Sequence, residues 1–279
     1  MTPPKGGSNV TDATDAAGRS SDADSTVESR FRSLFDGLDG SAAATAREVV
    51  EESKTPWYAN LLADTVDTVS ETDDAVDASS VRAAGSAVEL LWGYYRVRGR
   101  LLVQLSDARA HSLTMDSTTA LLAGDYLHAA AYSSISSVSS SHLGSCVERL
   151  NEAARGLVGT FRSAERAPVR TEAEVVSYCE DTAGRLGETA SALGSMLADA
   201  DEPQRRLLGR VGRETSVARQ LRRICESDPA ATAISPPECD ESLLRERAAR
   251  RRDDALDALR ELPGSVDRSV LRASVGRPE

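Results

Sequence analysis

Apolar residues recur at helical spacing along most of this chain, and this pattern constrains the fold more than any other feature. Leu61, Leu62, Val66 and Val69 lie on one helical face after the break at Pro56. The same spacing continues through residues 172–200, 207–225 and 243–262. Alternating runs of Val, Ile and Thr between turn signals, which indicate strands, are nearly absent, while the strong helix formers Ala and Leu dominate. The sequence therefore predicts an all-α bundle without an internal repeat.

The first 24 residues differ from the rest in composition. They are rich in Asp, Ser and Thr, and Val10 is their only large apolar residue after the initial Met. Such a segment cannot bury enough apolar surface to offset the entropy of ordering, so residues 1–24 are predicted to be a disordered acidic and Ser-rich tail. Order is expected from Ser25, because Ser25 and Glu28 have the spacing of a helix capping box.

Charge and composition limit the choice of cellular compartment and of binding partners for this protein. The chain carries 33 basic and 44 acidic residues, and all but two of the basic residues are arginine. This acidic excess is typical of proteins from a salt-rich cytoplasm, since carboxylates retain hydration water. The alternative explanation, a GC-rich coding sequence, accounts for the many Ala and Arg residues but not for the acidic excess. A formal net charge of -11 repels phosphate, which excludes non-specific nucleic-acid binding. No stretch has the ~20 apolar residues of a membrane span, and no leader pattern is present, so a cytoplasmic protein is expected.

Cysteine and histidine usage argues against a metal site. No Cys-x-x-Cys pair occurs, and the wide cysteine spacing suits neither a zinc clip nor a small disulfide scaffold, so buried thiols are expected. With so few histidines, a histidine-based metal site is improbable. The residues concerned are Cys146, Cys179, Cys225, Cys239, His111, His128 and His142.

Four short motifs follow one another along the chain. They are Leu-Ala-Gly-Asp-Tyr-Leu at 122–127, Asp-Thr-Ala at 181–183 ahead of Ala-Leu-Gly-Ser-Met-Leu at 192–197, Leu-Gly-Arg-Val-Gly at 208–212 with Gln220, and a final helix at 255–263. In order and separation they resemble the polyprenyl synthetases (isoprenyl diphosphate synthases), all-α enzymes that join isopentenyl diphosphate to an allylic diphosphate. The resemblance covers roughly residues 30–275. It implies an isoprenoid-synthase-type helical bundle, a single domain over 25–279, and, with the composition, a haloarchaeal source.

The family's chemistry depends on two Asp-Asp-x-x-Asp clusters that face each other across the bundle. They hold Mg²⁺ ions, which clamp the allylic diphosphate and stabilise the charge on it as it leaves. Basic residues hold the diphosphate of the second substrate. Homodimers are the family norm, so a homodimer or a heteromer is expected here.

This chain departs from the family at both clusters. No acidic residue occurs between Glu89 and Asp107, and arginines stand where the first cluster is expected. After Gln220, arginines also take the place of the second cluster. Asp181 stands where the family has the lysine of a Lys-Thr pair. The family's basic substrate-binding motif is matched at best by Lys54-Thr55-Pro56. We therefore expect no catalytic residue, no bound metal and no cofactor. The arginines are Arg96, Arg98, Arg100, Arg222 and Arg223.

One further segment has the residue pattern Asp-Asp-x-x-Asp of the metal-binding motif. Asp253-Asp254-Ala255-Leu256-Asp257 follows three arginines and lies some 30 residues beyond the expected place. Acids beside arginines at helical spacing are more simply a solvated charged face.

The favoured hypothesis is a non-catalytic homologue that acts as a partner or regulatory subunit of an active prenyl diphosphate synthase, or that binds a prenyl diphosphate. Guanidinium groups can hold a diphosphate without Mg²⁺. Alternatively, the arginines pair with local acids such as Glu89, Glu214 and Glu226. The candidate substrate-binding residues are Arg222, Arg223, Gln220, Thr182, Arg96 and Arg100.

Two other hypotheses stay open at this point. An active prenyltransferase would use Mg²⁺ with displaced ligands such as Asp107, Asp116 or the 253–257 cluster. An unrelated helical scaffold would make the four motifs coincidental.

Overall fold

Every regular element that the structure describes is helical, as the apolar spacing predicts. The structure is a computed structural model that describes residues 34, 40–52, 55–70, 76–106, 116–139, 141–166, 171–226, 240–264 and 266–276, without the side chains of 103–106 and 164–166. The predicted tail at 1–24, the predicted start at Ser25, and Lys54, Asp107, His111 and Cys239 lie outside the described residues.

Ten α-helices are described, and together they form one domain. They are α1 Ser41–Glu51, α2 Trp57–Val69, α3 Ala78–Ser106, α4 Ser117–Ile135, α5 Leu143–Arg166, α6 Glu172–Cys179, α7 Arg185–Leu197, α8 Glu202–Cys225, α9 Glu241–Glu261 and α10 Ser269–Gly276. A π turn, Glu180–Gly184, joins α6 to α7 without a break. None of the helices described is long and apolar enough to cross a membrane.

Local capping decides where several helices begin. Asp201 accepts a hydrogen bond from the Gln204 amide, and the Gln204 side chain accepts one from the Asp201 amide. This reciprocal cap starts α8 at Glu202, five residues before the apolar run that predicts the helix. Thr171 and Glu174 form the same arrangement at the start of α6.

Helices α3 and α7 occupy the centre of the bundle. Helix α3 packs against α1, α2, α4, α5 and α7, and α7 also packs against α2, α5 and α8. Polar groups are buried among the apolar side chains of these helices, including Glu89, Arg96 and Thr182. Cys146, Cys179 and Cys225 are buried free thiols, which confirms the prediction for these three.

The crossing of α7 and α8 requires glycine on both helices. A Cβ atom placed on Gly212 would lie 2.3 Å from the Gly187 carbonyl oxygen, and one on Gly187 would lie 2.3 Å from the Gly212 carbonyl oxygen. The two backbones are therefore in direct contact. This close approach sets the position of α8, and with it the position of the arginines in the last turn of that helix.

A chain of ion pairs joins α9, α8, the π turn, α7 and α5. Arg251 binds Glu214 at 2.9 Å and also binds Glu180, Arg213 lies 3.5 Å from Glu188, and Arg149 lies 2.7 Å from Glu188. Glu214 is thus paired with Arg251 and not with the arginines at 96–100 or 222–223.

Candidate functional site

The predicted site residues of α3 are divided between two faces of that helix. Arg96 and Arg100 are four residues apart and share a face, whereas Arg98 projects to another. Arg98 binds Asp125 of α4, and its guanidinium lies 5.7 Å from the centre of the Tyr94 ring. Arg98, one of the five arginines expected where the family has acidic clusters, therefore does not lie with Arg96 and Arg100, because helical geometry turns it to another face.

Arg96 and Arg100 converge on the carboxylate of Glu52, at the C-terminal end of α1. Arg100 donates from Nη1 to Oε1 at 3.3 Å and from Nη2 to Oε2 at 2.6 Å. Arg96 donates from Nη2 to the same Oε2 and from Nη1 to the Val49 carbonyl oxygen at 2.8 Å. The expectation that arginines pair with acids thus holds for Arg96 and Arg100, but their partner is an acid more than 40 residues away in sequence.

The charges of this cluster are coupled. Burial lowers the pKa of Arg96 to about 10, helped by the charges of Arg100 and Arg223 and opposed by Glu52. Burial also acts to raise the pKa of Glu52, but the hydrogen bonds and charges of Arg100 and Arg96 outweigh it, so this pKa lies below its usual value. The charge of Arg223, in the last turn of α8, acts on the pKa of Arg96 in the same direction as that of Arg100.

Glu89 has a structural role that the sequence pattern did not reveal. Its buried carboxylate accepts hydrogen bonds from the Tyr58 and Ala59 amides, the latter at 3.1 Å, and so caps the N-terminus of α2. Burial raises the pKa of Glu89 to about 7, although these amides and the charges of Arg219 and Arg96 act in the opposite direction. An acid inside an apolar run, here Ala87-Val88-Glu89-Leu90-Leu91, was the available signal.

Aromatic side chains form a buried wall inside the bundle. The Arg219 guanidinium lies 4.7 Å from the centre of the Trp57 indole, whose Nε1 donates to the Ser216 hydroxyl at 3.0 Å. The rings of Tyr58, Trp92, Tyr95 and Phe161 form a packed series, with successive ring centres 5.0 to 5.7 Å apart. All five rings are at most 9% exposed and belong to the core, and Arg219 reaches that core at Trp57.

Thr182 and Gln220 are both buried. The Thr182 hydroxyl donates to the Tyr178 carbonyl oxygen at 2.6 Å inside the π turn, and the Tyr95 hydroxyl donates to the Tyr178 hydroxyl at 2.5 Å. This places Thr182 at the inner end of the aromatic wall, with its hydroxyl proton already committed to the backbone. Arg222 and Arg223 are partly exposed in the last turn of α8.

The donor set around the arginines does not fit Mg²⁺, the metal that the resemblance implies. Hard divalent cations take oxygen ligands, whereas α3 and α8 present guanidinium groups here. Among the residues that the structure describes, no group of three or more His, Cys, Asp or Glu side chains is arranged to hold a metal ion. In the 253–257 segment, Asp257 binds Arg260 on an exposed face of α9. Asp116 caps α4 by accepting a 2.8 Å hydrogen bond from the Thr119 amide.

Comparison with solved structures identifies the architecture. Geranylgeranyl pyrophosphate synthetase from Pyrococcus horikoshii OT3 superposes with a TM-score of 0.74 and 16% identity, over 95% of this chain and 99% of that one. The enzyme of the archaeon Geoglobus acetivorans gives a TM-score of 0.71 at 16% identity, over 92% and 98%. A heterotetrameric geranyl pyrophosphate synthase from mint gives 0.71 at 14% identity, over 93% and 99%.

No family model and no curated protein sequence matches the chain. The structural likeness nevertheless extends over nearly the whole of each protein, and it confirms the predicted isoprenoid-synthase-type helical bundle. This chain has the all-α fold of the polyprenyl and geranylgeranyl diphosphate synthases.

Proposed function

We propose that this protein is a non-catalytic polyprenyl synthetase homologue that binds the diphosphate of a prenyl diphosphate through arginines, and that it serves as a partner or regulatory subunit of an active prenyl diphosphate synthase. The observation that carries the proposal is the convergence of Arg96 and Arg100 on one carboxylate, with the charge of Arg223 also acting on Arg96. Two guanidiniums that share one carboxylate suit a ligand with an anionic diphosphate head.

The roles of the candidate residues follow from their positions. Arg100, Arg222 and Arg223 are the accessible or partly accessible cations, and they would contact phosphate oxygens. Arg96 is buried and bound to the Val49 carbonyl oxygen, so it would supply a fixed guanidinium at the base of the site. Gln220 and Thr182, both buried, would contribute polar groups at the inner side of the site. No step of this proposal requires a metal ion.

The partner role has separate support. The mint protein with the same fold is a heterotetrameric geranyl pyrophosphate synthase, so this architecture occurs in hetero-oligomers. We extend this to a heteromer between the present chain and an active synthase, with a homodimer as the simpler assembly. The acidic composition supports placing both subunits in the cytoplasm of a halophile.

The first experiment measures prenyl transfer in multimolar potassium chloride. The purified protein receives Mg²⁺, isopentenyl diphosphate and allylic diphosphates of several lengths, with and without an active synthase from the same cell. We expect no turnover by the protein alone and a changed rate or product length in the mixture. Turnover by the protein alone would overturn the non-catalytic assignment and favour displaced metal ligands.

A second experiment tests ligand binding without turnover. Binding of an allylic diphosphate is measured calorimetrically in the presence of a metal chelator, for the wild type and for a variant with Arg222→Ala and Arg223→Ala. We expect at least tenfold weaker binding by the variant, because two charge-assisted contacts are lost. Arg260→Ala is the matched control, since the described ion-pair partner of this exposed arginine is Asp257, near the C-terminal end of α9. Equal affinity in all three proteins would refute the assigned site.

A further inference from the structure

One carboxylate occupies the place between two guanidiniums that an oxyanion ligand would need. Glu52 receives three hydrogen bonds from Arg96 and Arg100, two of them from the fork of Arg100. Carboxylate and phosphate oxygens are recognised by the same planar donor geometry of arginine. The Glu52 carboxylate therefore stands in for phosphate oxygens at this point of the site.

The two arginines differ in how firmly they are held. The Arg96 side chain is 5% exposed and also donates to the Val49 carbonyl oxygen, so it stays in position without Glu52. The Arg100 and Glu52 side chains are 20% and 31% exposed, and the described ion-pair partner of Arg100 is Glu52 alone. Solvent thus reaches the outer part of the cluster, and an anion arriving there meets the Arg100–Glu52 pair first.

The charge balance favours exchange of one anion for another. The two guanidiniums and one carboxylate of the ion-pair cluster leave a net positive charge, which Arg223 increases and the Glu89 carboxyl, also within range of Arg96, offsets in part. A diphosphate carries more negative charge than a carboxylate and offers more acceptor oxygens. Glu52 also lies at the C-terminal end of α1, where the helix dipole is unfavourable to a negative charge. The carboxylate is thus held in place mainly by the arginines.

We propose that Glu52 is a built-in competitor that occupies the diphosphate position at Arg96 and Arg100, and that a ligand must displace it in order to bind. This inference rests on the proposed diphosphate-binding function and adds its regulation. In the ligand-free protein the Glu52 carboxylate neutralises part of the positive charge of Arg96 and Arg100. It keeps these side chains ordered and competes with weakly charged anions for them. A diphosphate that displaces Glu52 releases the end of α1, so ligand occupancy is coupled to the position of that helix.

The test measures binding of inorganic diphosphate by calorimetry at one fixed potassium chloride concentration with a metal chelator present. Glu52→Gln keeps the size of the side chain and removes its charge, so we expect about tenfold tighter binding than in the wild type. Glu51→Gln is the matched control, because it removes the same charge one residue away on an exposed position of the same helix. The control should change the affinity by less than twofold.

A second variant guards against loss of structure. Glu52→Asp keeps the charge and shortens the side chain by one methylene. It should therefore weaken the ion pairs with the two arginines and give an affinity for diphosphate between those of the wild type and Glu52→Gln. Circular dichroism melting shows whether each variant is folded.

The outcomes separate this inference from the function on which it rests. Diphosphate binding that is equal in the wild type and Glu52→Gln, but weakened by Arg100→Ala, would overturn the competitor role and leave the binding site intact. An equal gain in diphosphate affinity in Glu51→Gln and Glu52→Gln would mean that only the net charge of the protein matters. That result would also overturn the competitor role of Glu52. Absence of binding in every protein would overturn both the diphosphate site and its regulation. Binding by Glu52→Gln alone would support the inference in its strongest form.

Discussion

The contact between α7 and α8 is the element that aligns the arginines of α8 with the rest of the site, and Gly212→Ala tests it directly. The new Cβ would lie 2.3 Å from both the Gly187 carbonyl oxygen and the Ser191 hydroxyl oxygen. An ordinary van der Waals contact needs roughly 1 Å more. The nearest atoms include backbone, which cannot turn aside as a flexible side chain can, so the two helices must separate.

Two opposing effects set the size of the change. Alanine in place of glycine favours a helix by about 1 kcal/mol. Overpacking of a rigid contact costs about 3 kcal/mol, at the upper end of the usual range, because separating the helices by this distance also loses dispersion contacts along the crossing. The expected net result is a loss of about 2 kcal/mol in the free energy of unfolding. For a domain of this size that lowers the melting temperature by roughly 4–8 °C.

Gly209→Ala is a control on the same helix, three residues earlier. Its Cβ would meet only the Glu188 Cγ atom, at an ordinary 3.5 Å. The helix preference then acts unopposed, and the melting temperature should rise by roughly 2–4 °C. Thermal unfolding of both variants, followed by circular dichroism in the same potassium chloride buffer, gives the comparison. If Gly212→Ala is as stable as Gly209→Ala, the reasoning about this crossing is wrong.

Three further predictions concern the charged groups and the salt dependence. Burial raises the pKa of Glu89 to about 7, so the folded protein binds more protons than the unfolded chain between pH 4.5 and 7. The free energy of unfolding therefore falls as pH rises through that window, by at most about 3 kcal/mol from this group. Chemical denaturation at several pH values should show this fall for the wild type and a flatter curve for Glu89→Gln. Arg251→Met should lower the free energy of unfolding by about 2 kcal/mol, because it leaves the buried Glu214 without its described ion-pair partner and leaves Glu180 with Arg213 alone. Removal of the exposed Arg245 should change the same denaturation curve by less than about 0.5 kcal/mol. If the acidic composition reflects a salt-rich cytoplasm, dilution from multimolar to about 0.1 M potassium chloride should cause cooperative unfolding in a circular dichroism titration, and an unchanged spectrum would contradict the halophilic interpretation.

The order and the approximate limits of the helices could be predicted from the sequence, because helix formation depends on residues within a few positions of one another. The apolar spacing in α2, α8 and α9 and the break at Pro263 are signals of this kind. The observed starts differ by a few residues where a polar cap extends the helix beyond its apolar face, as Asp201 does for α8. The motif order further indicated the architecture, which the structural comparisons confirm.

The partners of the charged side chains could not be predicted in the same way. The sequence shows that arginines occupy positions 96, 98, 100, 222 and 223, but not which acid each one meets. Glu89 was expected to pair with arginine, yet it caps a neighbouring helix through two backbone amides.

The sequence by itself thus determined that this chain is helical, strongly acidic and rich in arginine at positions 96–100 and 222–223. Only the tertiary structure decided that Arg98 turns to Asp125 while Arg96 and Arg100 share Glu52. The physical reason is the range of the interactions. A helix is specified by contacts within about four residues, whereas an ion pair between helices depends on how whole helices pack, and here glycine contacts such as Gly187–Gly212 set that packing.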